Sequence, residues 1–130
     1  ELGKLSKSNP LDIISRNKVP QGTSGGITII GTFGSLLGSI TIGLIGYLFI
    51  IDKTATFFVI VAGFLSSIVD SILGSTNQAR FISPEGSIIT EKNEVSYFLY
   101  TGSIIINNDT VNLYCTISGP IIFLIISVLV

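Results

Sequence analysis

The sequence predicts an all-α membrane protein with about three transmembrane helices, and two observations support that class. Only 12% of the 130 residues are charged, whereas soluble domains carry about 25% charged residues. The charges are also segregated, because no Asp, Glu, Lys or Arg occurs from Val19 to Ile51, from Thr54 to Val69 or from Thr110 to Val130. Uninterrupted uncharged, apolar stretches of about 18 residues or more are typical of bilayer-spanning helices.

The same composition excludes several classes of function. The chain has no His and a single Cys, Cys115, so its own residues cannot form a zinc site, a Ser-His-Asp triad or a Cys-His dyad. The net charge of −1 says nothing about nucleic acid, but no basic, aromatic-rich patch suggests that the protein binds it. Any chemistry must therefore use carboxylates, Lys, Arg, hydroxyls, backbone dipoles or a hard metal ion.

The length allows at most one domain. The chain begins with Glu1 instead of Met and has no signal-peptide pattern, so we expect a fragment of a larger helical bundle. We divide it into a cytoplasmic lead-in with a phosphate loop, residues 1–26, and a transmembrane part, residues 27–130. In the lead-in, the Asn9-Pro10 pair followed by apolar residues predicts a short surface helix over residues 11–15.

The first two spans are predicted at residues 27–51 and 55–76, lengths that cross the bilayer with tilt. Small residues recur along the first span at intervals of four and include a GxxxG pair: Gly31, Ser35, Ser39 and Gly43, with Gly34 and Gly38. Such a face lets another helix approach closely in lipid. The second span carries a stripe of small and polar residues, including Asp70, which should face protein or water.

A polar loop at residues 77–108 connects the second span to the third, which is predicted at 109–130 with a kink at Gly119-Pro120. Within the loop, residues 87–90, 95–100 and 103–106 are rich in β-branched and aromatic side chains. The Thr101-Gly102 pair is compatible with the turn of a small β-hairpin.

The distribution of basic residues predicts the orientation in the membrane. Four of them precede the first span, namely Lys4, Lys7, Arg16 and Lys18. The far end of that span carries only Lys53. By the positive-inside rule the lead-in is cytoplasmic, and the loop at 77–108 returns to the same side. The phosphate loop, Asp70 and the start of the third helix then share the cytoplasmic face of a multi-pass membrane protein.

The first candidate site is Lys18 with the small residues that lead from it into the first span. They are Gly22, Thr23, Ser24, Gly25 and Gly26. Backbone N–H groups at a helix N-terminus, exposed by small residues and backed by a Lys, form a generic anion site. The alternative is an ordinary interfacial loop in which Lys18 snorkels and the glycines relieve turn strain.

Asp70 is the second candidate. An ionisable side chain at membrane depth costs several kcal/mol unless it is paired or hydrated, so a functional role is the default hypothesis. The alternatives are a structural ion pair with Arg80 or Lys18, or a protonated carboxyl that is hydrogen-bonded to Ser66 or Ser67.

The third candidate is the run of amides and a carboxylate at residues 107–112, which includes Asn108, Asp109 and Asn112. Oxygen ligands from Asp70 and Asp109, together with nucleotide phosphates, would suit Mg²⁺, which prefers few carboxylates and several waters. The alternative is plain capping of the third helix by Asn108 or Asp109.

Three segments of the chain together resemble one protein family. They read Lys18-Val-Pro-x-Gly22-Thr23-x-Gly25-Gly26, Gly63-Phe-Leu-x-Ser67-x-x-Asp70-Ser71-x-Leu73-Gly74-x-Thr76-x-Gln78 and Asn108-Asp109-x-Val111-Asn112. In this order they look like the phytyl-phosphate kinase family of integral membrane proteins, which also contains the transmembrane-protein-nineteen proteins. The first segment is also similar to the nucleotide-contacting segment of the CTP-dependent polyprenol kinases, dolichol kinase among them. The likeness covers nearly all of the chain except residues 81–103.

The resemblance implies transfer of a phosphoryl group from a nucleoside triphosphate, CTP in the first place, to an isoprenyl or phytyl monophosphate. Lys18 and the amides of residues 22–26 would cradle the nucleotide phosphates, and Asp70 with Asp109 would hold Mg²⁺. Asn108 and Asn112 would position a phosphate. Charge neutralisation and in-line positioning suffice for phosphoryl transfer, so the absence of His is no obstacle.

The resemblance also implies partners. They are the lipid bilayer, an isoprenyl phosphate whose tail would lie along the small-residue face from Gly31 to Gly43, and further helices of the same protein upstream. In related proteins those helices end in an acidic motif whose last residues correspond to Glu1-Leu2-Gly3, so Glu1 could add a metal ligand.

Two other classes of function remain open from the sequence. In a carrier, Asp70 would be a proton or ion relay and the glycine-rich loop a gate. In a structural helix-packing protein, neither Asp70 nor Lys18 would matter for function.

Overall fold

The computed structural model describes residues 9–49, 52–86, 89–91 and 96–129. Three long helices follow one another in these residues: α1, Ile29–Phe49; α2, Lys53–Thr76; and α3, Asn108–Leu129. Each is long and apolar enough to cross a membrane. The predicted all-α membrane class is confirmed, with helix bounds close to those expected. Glu1, Lys4 and Lys7 lie outside the described residues.

Each helix begins at a side chain that accepts an N–H of the first turn, which satisfies one of the donors that a helix start leaves unpaired. These side chains are Thr28 for α1, Asp52 for α2 and Asn107 for α3, at 3.0, 2.8 and 2.9 Å from the donor nitrogen. The cap of α3 is therefore Asn107 and not Asn108 or Asp109, which the sequence suggested.

The central helix is α2, which packs against both α1 and α3. Small residues bring α1 and α2 together: a Cβ added to Gly43 would lie 2.5 Å from the side chain of Ile60, and one added to Gly63 would lie 3.1 Å from Ser39 Oγ. Part of the small-residue face of α1 is therefore covered by protein. The sequence predicted that an isoprenoid tail would lie along this face from Gly31 to Gly43. At Ser39 and Gly43 the tail cannot lie there, because α2 occupies that part of the face.

Hydroxyl groups and aromatic rings join α2 to α3. Ser66 Oγ donates to the carbonyl oxygen of Cys115 at 2.6 Å and lies 3.0 Å from Ser118 Oγ. Towards the other end of the interface, the rings of Phe58 and Phe123 meet edge to face with their centroids 6.3 Å apart. Interhelical hydrogen bonds of this kind stabilise helix association in lipid, where no water competes for the polar groups.

The lead-in contains a two-stranded antiparallel sheet, β1, Leu11–Asp12, and β2, Gly26–Ile27. The prediction of a short helix over residues 11–15 is therefore wrong. Asp12 Oδ1 accepts the N–H groups of Ile14 and Ser15 at 3.1 and 2.8 Å, and such an Asx turn competes locally with helix formation. The sheet brings the lead-in beside the loop that enters α1.

The polar connection between α2 and α3 forms a small three-stranded antiparallel sheet with the order β4-β3-β5: β3, Arg80–Ile82; β4, Ile89–Thr90; and β5, Phe98–Thr101. Strand structure in this loop was expected, but Thr101-Gly102 does not turn into a strand over residues 103–106. A Cβ on Gly102 would collide with the carbonyl of Gln78, and Ser103 forms an isolated bridge with Gln78. The sheet sits directly after α2, near the glycine-rich loop.

Candidate functional site

A cavity of about 470 Å³ lies where the glycine-rich loop, the first two turns of α1 and the middle of α2 meet. Its described lining is mainly hydroxyls and small residues, with a single carboxylate: Pro10, Ile13, Gln21, Gly22, Thr23, Gly26, Ile27, Thr28, Gly31, Thr32, Ser35, Phe64, Ser67, Ile68, Asp70 and Ser71. The structure thus brings two of the three sequence-predicted candidates, the loop and Asp70, to one place.

The loop presents only part of its predicted backbone donors to the cavity. The N–H of Thr23 donates to the carbonyl of Pro20, and that of Gly26 donates to the carbonyl of Thr23. The N–H of Ser24 donates to Glu91 Oε1 at 2.6 Å. Because these amides are used within the protein, the loop offers the cavity the Thr23 hydroxyl and the exposed backbone at Gly22 more than a continuous row of N–H groups.

Ser24 and Gly25, which the sequence analysis assigned to the phosphates, lie behind the cavity and are absent from its described lining. Gly25 has a left-handed φ of +79°, and a Cβ there would lie 2.5 Å from the backbone nitrogen of Ser75. These two residues attach the loop to α2.

The N-terminus of α1 opens onto the same cavity through Thr28, Gly31 and Thr32. The partial positive charge of a helix start, together with its unpaired N–H groups, favours an anion. Gly31 is small and leaves the first turns accessible, but its own N–H already donates to Thr28 Oγ1 at 3.0 Å. The anion site at this helix start stays a prediction.

Asp70 is half-buried, and among the described residues its Oδ1 has no hydrogen-bond partner although it is shielded from solvent. Among the described residues, Asp70 forms neither the ion pair nor the hydrogen bond to Ser66 or Ser67 that the sequence suggested as alternatives. Arg80 forms an ion pair with Asp12 at 3.5 Å, while Ser66 bonds to α3 and Ser67 Oγ donates to the carbonyl of Phe64 in its own helix. Asp70 therefore brings a carboxylate to the cavity wall, and one of its two oxygens has no hydrogen-bond partner among the described residues.

The remaining predicted residues lie elsewhere. Lys18 is exposed and pairs through its backbone with Leu11. Asn108, Asp109 and Asn112 are exposed on the first turns of α3, and none of these four residues lines the described part of the cavity. Within the described ranges, no group of three or more His, Cys, Asp or Glu side chains could hold a metal ion, and Asp70 is the one carboxylate in the described lining of the cavity.

The comparison with protein families agrees with the membrane fold. The pattern of the integral membrane protein family DUF92 matches residues 1–120. The chain belongs to this family. It is similar to an uncharacterised membrane protein of Methanocaldococcus jannaschii, with 33% identity over 126 residues, which cover 97% of this chain and 43% of that protein. The chain therefore spans less than half the length of its relative. No solved structure matches it.

This DUF92 chain also contains a buried polar cluster next to the cavity that the sequence did not indicate. Asp12 is only 4% exposed, and both of its carboxylate oxygens accept the hydroxyl of Ser75 at 2.8 Å. Arg80 Nη2 lies 3.5 Å from Asp12 Oδ2 and donates to the carbonyl of Ser24 at 2.6 Å. The cluster links the lead-in, the loop and the end of α2.

The hydrogen bonds control the charge of Asp12. Burial by itself raises the pKa of this carboxyl, but the N–H and hydroxyl donors of Ser15, Ser75 and Ile14 lower it from the ordinary 3.8 to about 2. The spacing Asp12-x-x-Ser15 could have indicated the Asx turn. The partnership with Ser75 and Arg80 left no local signal, since those residues are distant in sequence.

Proposed function

We propose that the protein is the core of an integral membrane phosphotransferase that moves a phosphoryl group from a nucleoside triphosphate to an isoprenyl or phytyl monophosphate. One observation carries the proposal: the glycine-rich loop, the start of α1 and Asp70, one of whose oxygens has no partner among the described residues, line a single cavity. The choice of CTP and of an isoprenoid acceptor rests on the resemblance of the three segments to the phytyl-phosphate and polyprenol kinases.

The charge of the cavity determines what must accompany a phosphate. Among the described lining residues there is no Lys or Arg, and Asp70 is the one ionisable group. A polyphosphate cannot enter beside a carboxylate without a counter-charge, because both are anionic in a medium of low dielectric constant. The nucleotide therefore enters with a divalent cation.

The oxygen donors fit Mg²⁺. This ion is commonly held by one or two carboxylates together with substrate phosphates and waters, and Asp70 Oδ1 is a shielded oxygen without a partner among the described residues. Asp70 would hold the ion, which would neutralise charge on the phosphates. Asp109 and Glu1 stay predicted ligands from the sequence, the former outside the cavity lining and the latter outside the described residues.

The residues of α1 and the loop would orient the phosphates. The N-terminus of α1 would face phosphate oxygens at Thr28 and Gly31, and the hydroxyls of Thr23 and Thr32 would donate to them. An apolar groove of about 270 Å³ shares Ile27, Thr28 and Thr32 with the cavity. This continuity gives the acceptor's hydrocarbon chain a place next to its phosphate, on the lipid side of α1. By the bias of basic residues, the site opens on the cytoplasmic side.

The test is phosphoryl transfer by the full-length protein in lipid nanodiscs, with CTP labelled at the γ-phosphate, Mg²⁺ and an isoprenyl monophosphate. We expect labelled isoprenyl diphosphate, and Asp70→Asn should reduce its rate by about a hundredfold or more, as expected when a group that stabilises transition-state charge is removed. Asp52→Asn is the matched control, because Asp52 is an exposed carboxylate at the other end of α2. Turnover by Asp70→Asn at the wild-type rate would exclude the proposed role.

A second function is favoured by the surroundings of Asp70. Thr32, Ser35, Ser67 and Ser71 line the same cavity, and a half-buried carboxylate beside several hydroxyl-bearing residues is also the arrangement of a proton or ion relay. Proteoliposomes without nucleotide distinguish the two. Solute or proton flux that needs Asp70 but no CTP would favour the carrier over the transferase.

A further inference from the structure

Asp12 contacts three segments next to the cavity: its own turn, the end of α2 and the start of β3. Its Oδ1 accepts the N–H groups of Ile14 and Ser15, and both oxygens accept the hydroxyl of Ser75. Arg80 approaches Oδ2. A carboxylate that is 4% exposed persists in ionised form because its lone pairs are used in this way.

The α2 end of the cluster is rigidly joined to the cavity. Ser75 lies in α2 one helical turn after Ser71. Ser71 and its neighbour Asp70 both line the cavity. A helix transmits a displacement of one turn to the next, so anchoring Ser75 also anchors the cavity wall that carries Asp70.

The loop end of the cluster is held at a single peptide. Arg80 Nη2 donates to the carbonyl of Ser24 at 2.6 Å, and Glu91 Oε1 accepts the N–H of Ser24 at 2.6 Å. Thr23, the residue before Ser24, and Gly26, two residues after it, line the cavity. Asp12 itself is outside the described lining, so it acts from behind the wall.

We propose that Asp12 is a positioning residue: through Ser75 and Arg80 it holds the glycine-rich loop in register with α2, so that Thr23 and Asp70 stay in the lining of the same cavity. The inference deepens the proposed function and rests on it for its meaning in turnover. The register itself can be measured without any substrate, which separates a failure of this inference from a failure of the transferase assignment.

The experiment measures thiol alkylation in the full-length protein, resolved by peptide mass spectrometry. Thr23→Cys reports on the loop, and the native Cys115, which contacts Ser66 between α2 and α3, reports on the helix bundle. Asp12→Asn should increase the alkylation rate of the thiol at position 23 about tenfold, the change expected when hydrogen bonds that keep a local segment closed are lost. The rate at Cys115 should not change.

Two further variants complete the test. Ser75→Ala removes one donor to Asp12 without removing its charge and should increase labelling at position 23 in the same direction, by about threefold; it decides the matter if Asp12→Asn does not fold. Asp52→Asn, the carboxylate cap at the other end of α2, should leave labelling at position 23 unchanged.

Unchanged labelling at position 23 in the Asp12 and Ser75 variants would overturn the inference, and so would a parallel increase at Cys115, which would indicate general loosening. If the full-length protein transfers phosphoryl groups, Asp12→Asn should lower kcat and Ser75→Ala should lower it less, while the Asp70 oxygen remains available to Mg²⁺. Absence of turnover in the wild-type protein, with the labelling pattern as expected, would reject the transferase assignment and leave the positioning role of Asp12 intact.

Discussion

Gly25 of the glycine-rich loop lies against the backbone of Ser75 in α2, so closely that a Cβ on the glycine would be 2.5 Å from the Ser75 nitrogen. On the other side of the contact, a Cβ on Gly74 would be 2.8 Å from the Gly25 nitrogen. The loop and the helix therefore meet backbone to backbone, and this contact fixes one wall of the cavity.

The first prediction concerns this contact. Gly25→Ala should lower the free energy of unfolding by about 3 kcal/mol, because a left-handed φ is unfavourable for Ala and the new methyl group overlaps Ser75. Thermal unfolding of the full-length protein in detergent measures the loss. Gly22→Ala is the control: its φ is +86°, but within the described residues nothing lies within 4 Å of the added Cβ. Equal losses in the two variants would contradict the observed packing.

The second prediction concerns the α1–α2 interface. Gly43→Ala should destabilise the protein by about 1–3 kcal/mol, because the added Cβ would be 2.5 Å from the side chain of Ile60 and overpacking a tight interface costs that much. Gly38→Ala is the matched control in the same helix, since its Cβ meets nothing within 4 Å in the described part of the chain. It should be neutral or stabilising by up to about 1 kcal/mol from helix propensity. Thermal unfolding measures the stability of both variants. A Gly38→Ala variant that is less stable than Gly43→Ala would contradict this interface.

The third prediction concerns the polar contact between α2 and α3. Ser66→Ala removes the hydroxyl that bonds to the Cys115 carbonyl at 2.6 Å and should destabilise the protein by about 1 kcal/mol, the usual size of such bonds in membranes. Ser127→Ala should have little effect, because that hydroxyl bonds within its own helix to the Leu124 carbonyl. Denaturation in mixed micelles compares the two variants, and a larger loss for Ser127→Ala would refute the assignment.

The fourth prediction concerns acid stability. The pKa of Asp12 is lowered to about 2 in the folded protein, so its contribution is present above the unfolded value of about 4 and is lost as the pH falls from there through 2. Its size is about 2 kcal/mol. Stability measured between pH 6 and about 2 should therefore fall less steeply in Asp12→Asn than in the wild type. Parallel curves would show that Asp12 titrates normally in the folded protein.

The three spans could be predicted from the sequence because they follow from composition alone. Charge-free stretches long enough to cross a bilayer leave no other structure for the backbone, whose polar groups must be satisfied within each segment. The meeting of the loop with Asp70 could also be predicted, since the basic-residue bias puts both on one membrane face. The prediction of a short helix at residues 11–15 was wrong, because the Asp12 carboxylate accepts the local N–H groups of Ile14 and Ser15 and β1 pairs with β2.

The allocation of hydrogen-bond donors could not be predicted in the same way. Which N–H of the loop faces the cavity depends on partners distant in sequence, such as Glu91 for Ser24. The position of Asp109 depends on the side of α2 against which α3 packs, and the described lining of the cavity does not include it. Short polar motifs of this kind carry the residue types of a site but no information about which group another segment has already bound.

The sequence by itself determined that this protein lies in the membrane, that the described part has three helices long and apolar enough to cross it, and that one of them carries a carboxylate at residue 70. Those features arise from local hydrophobicity and length, which act on each segment independently. Only the tertiary structure decided that Asp12, Ser75 and Arg80 join behind the loop, because a buried carboxylate takes whichever donors the packing brings within about 3 Å. The same packing left one oxygen of Asp70 without a partner among the described residues, and that oxygen is the basis of the proposed chemistry.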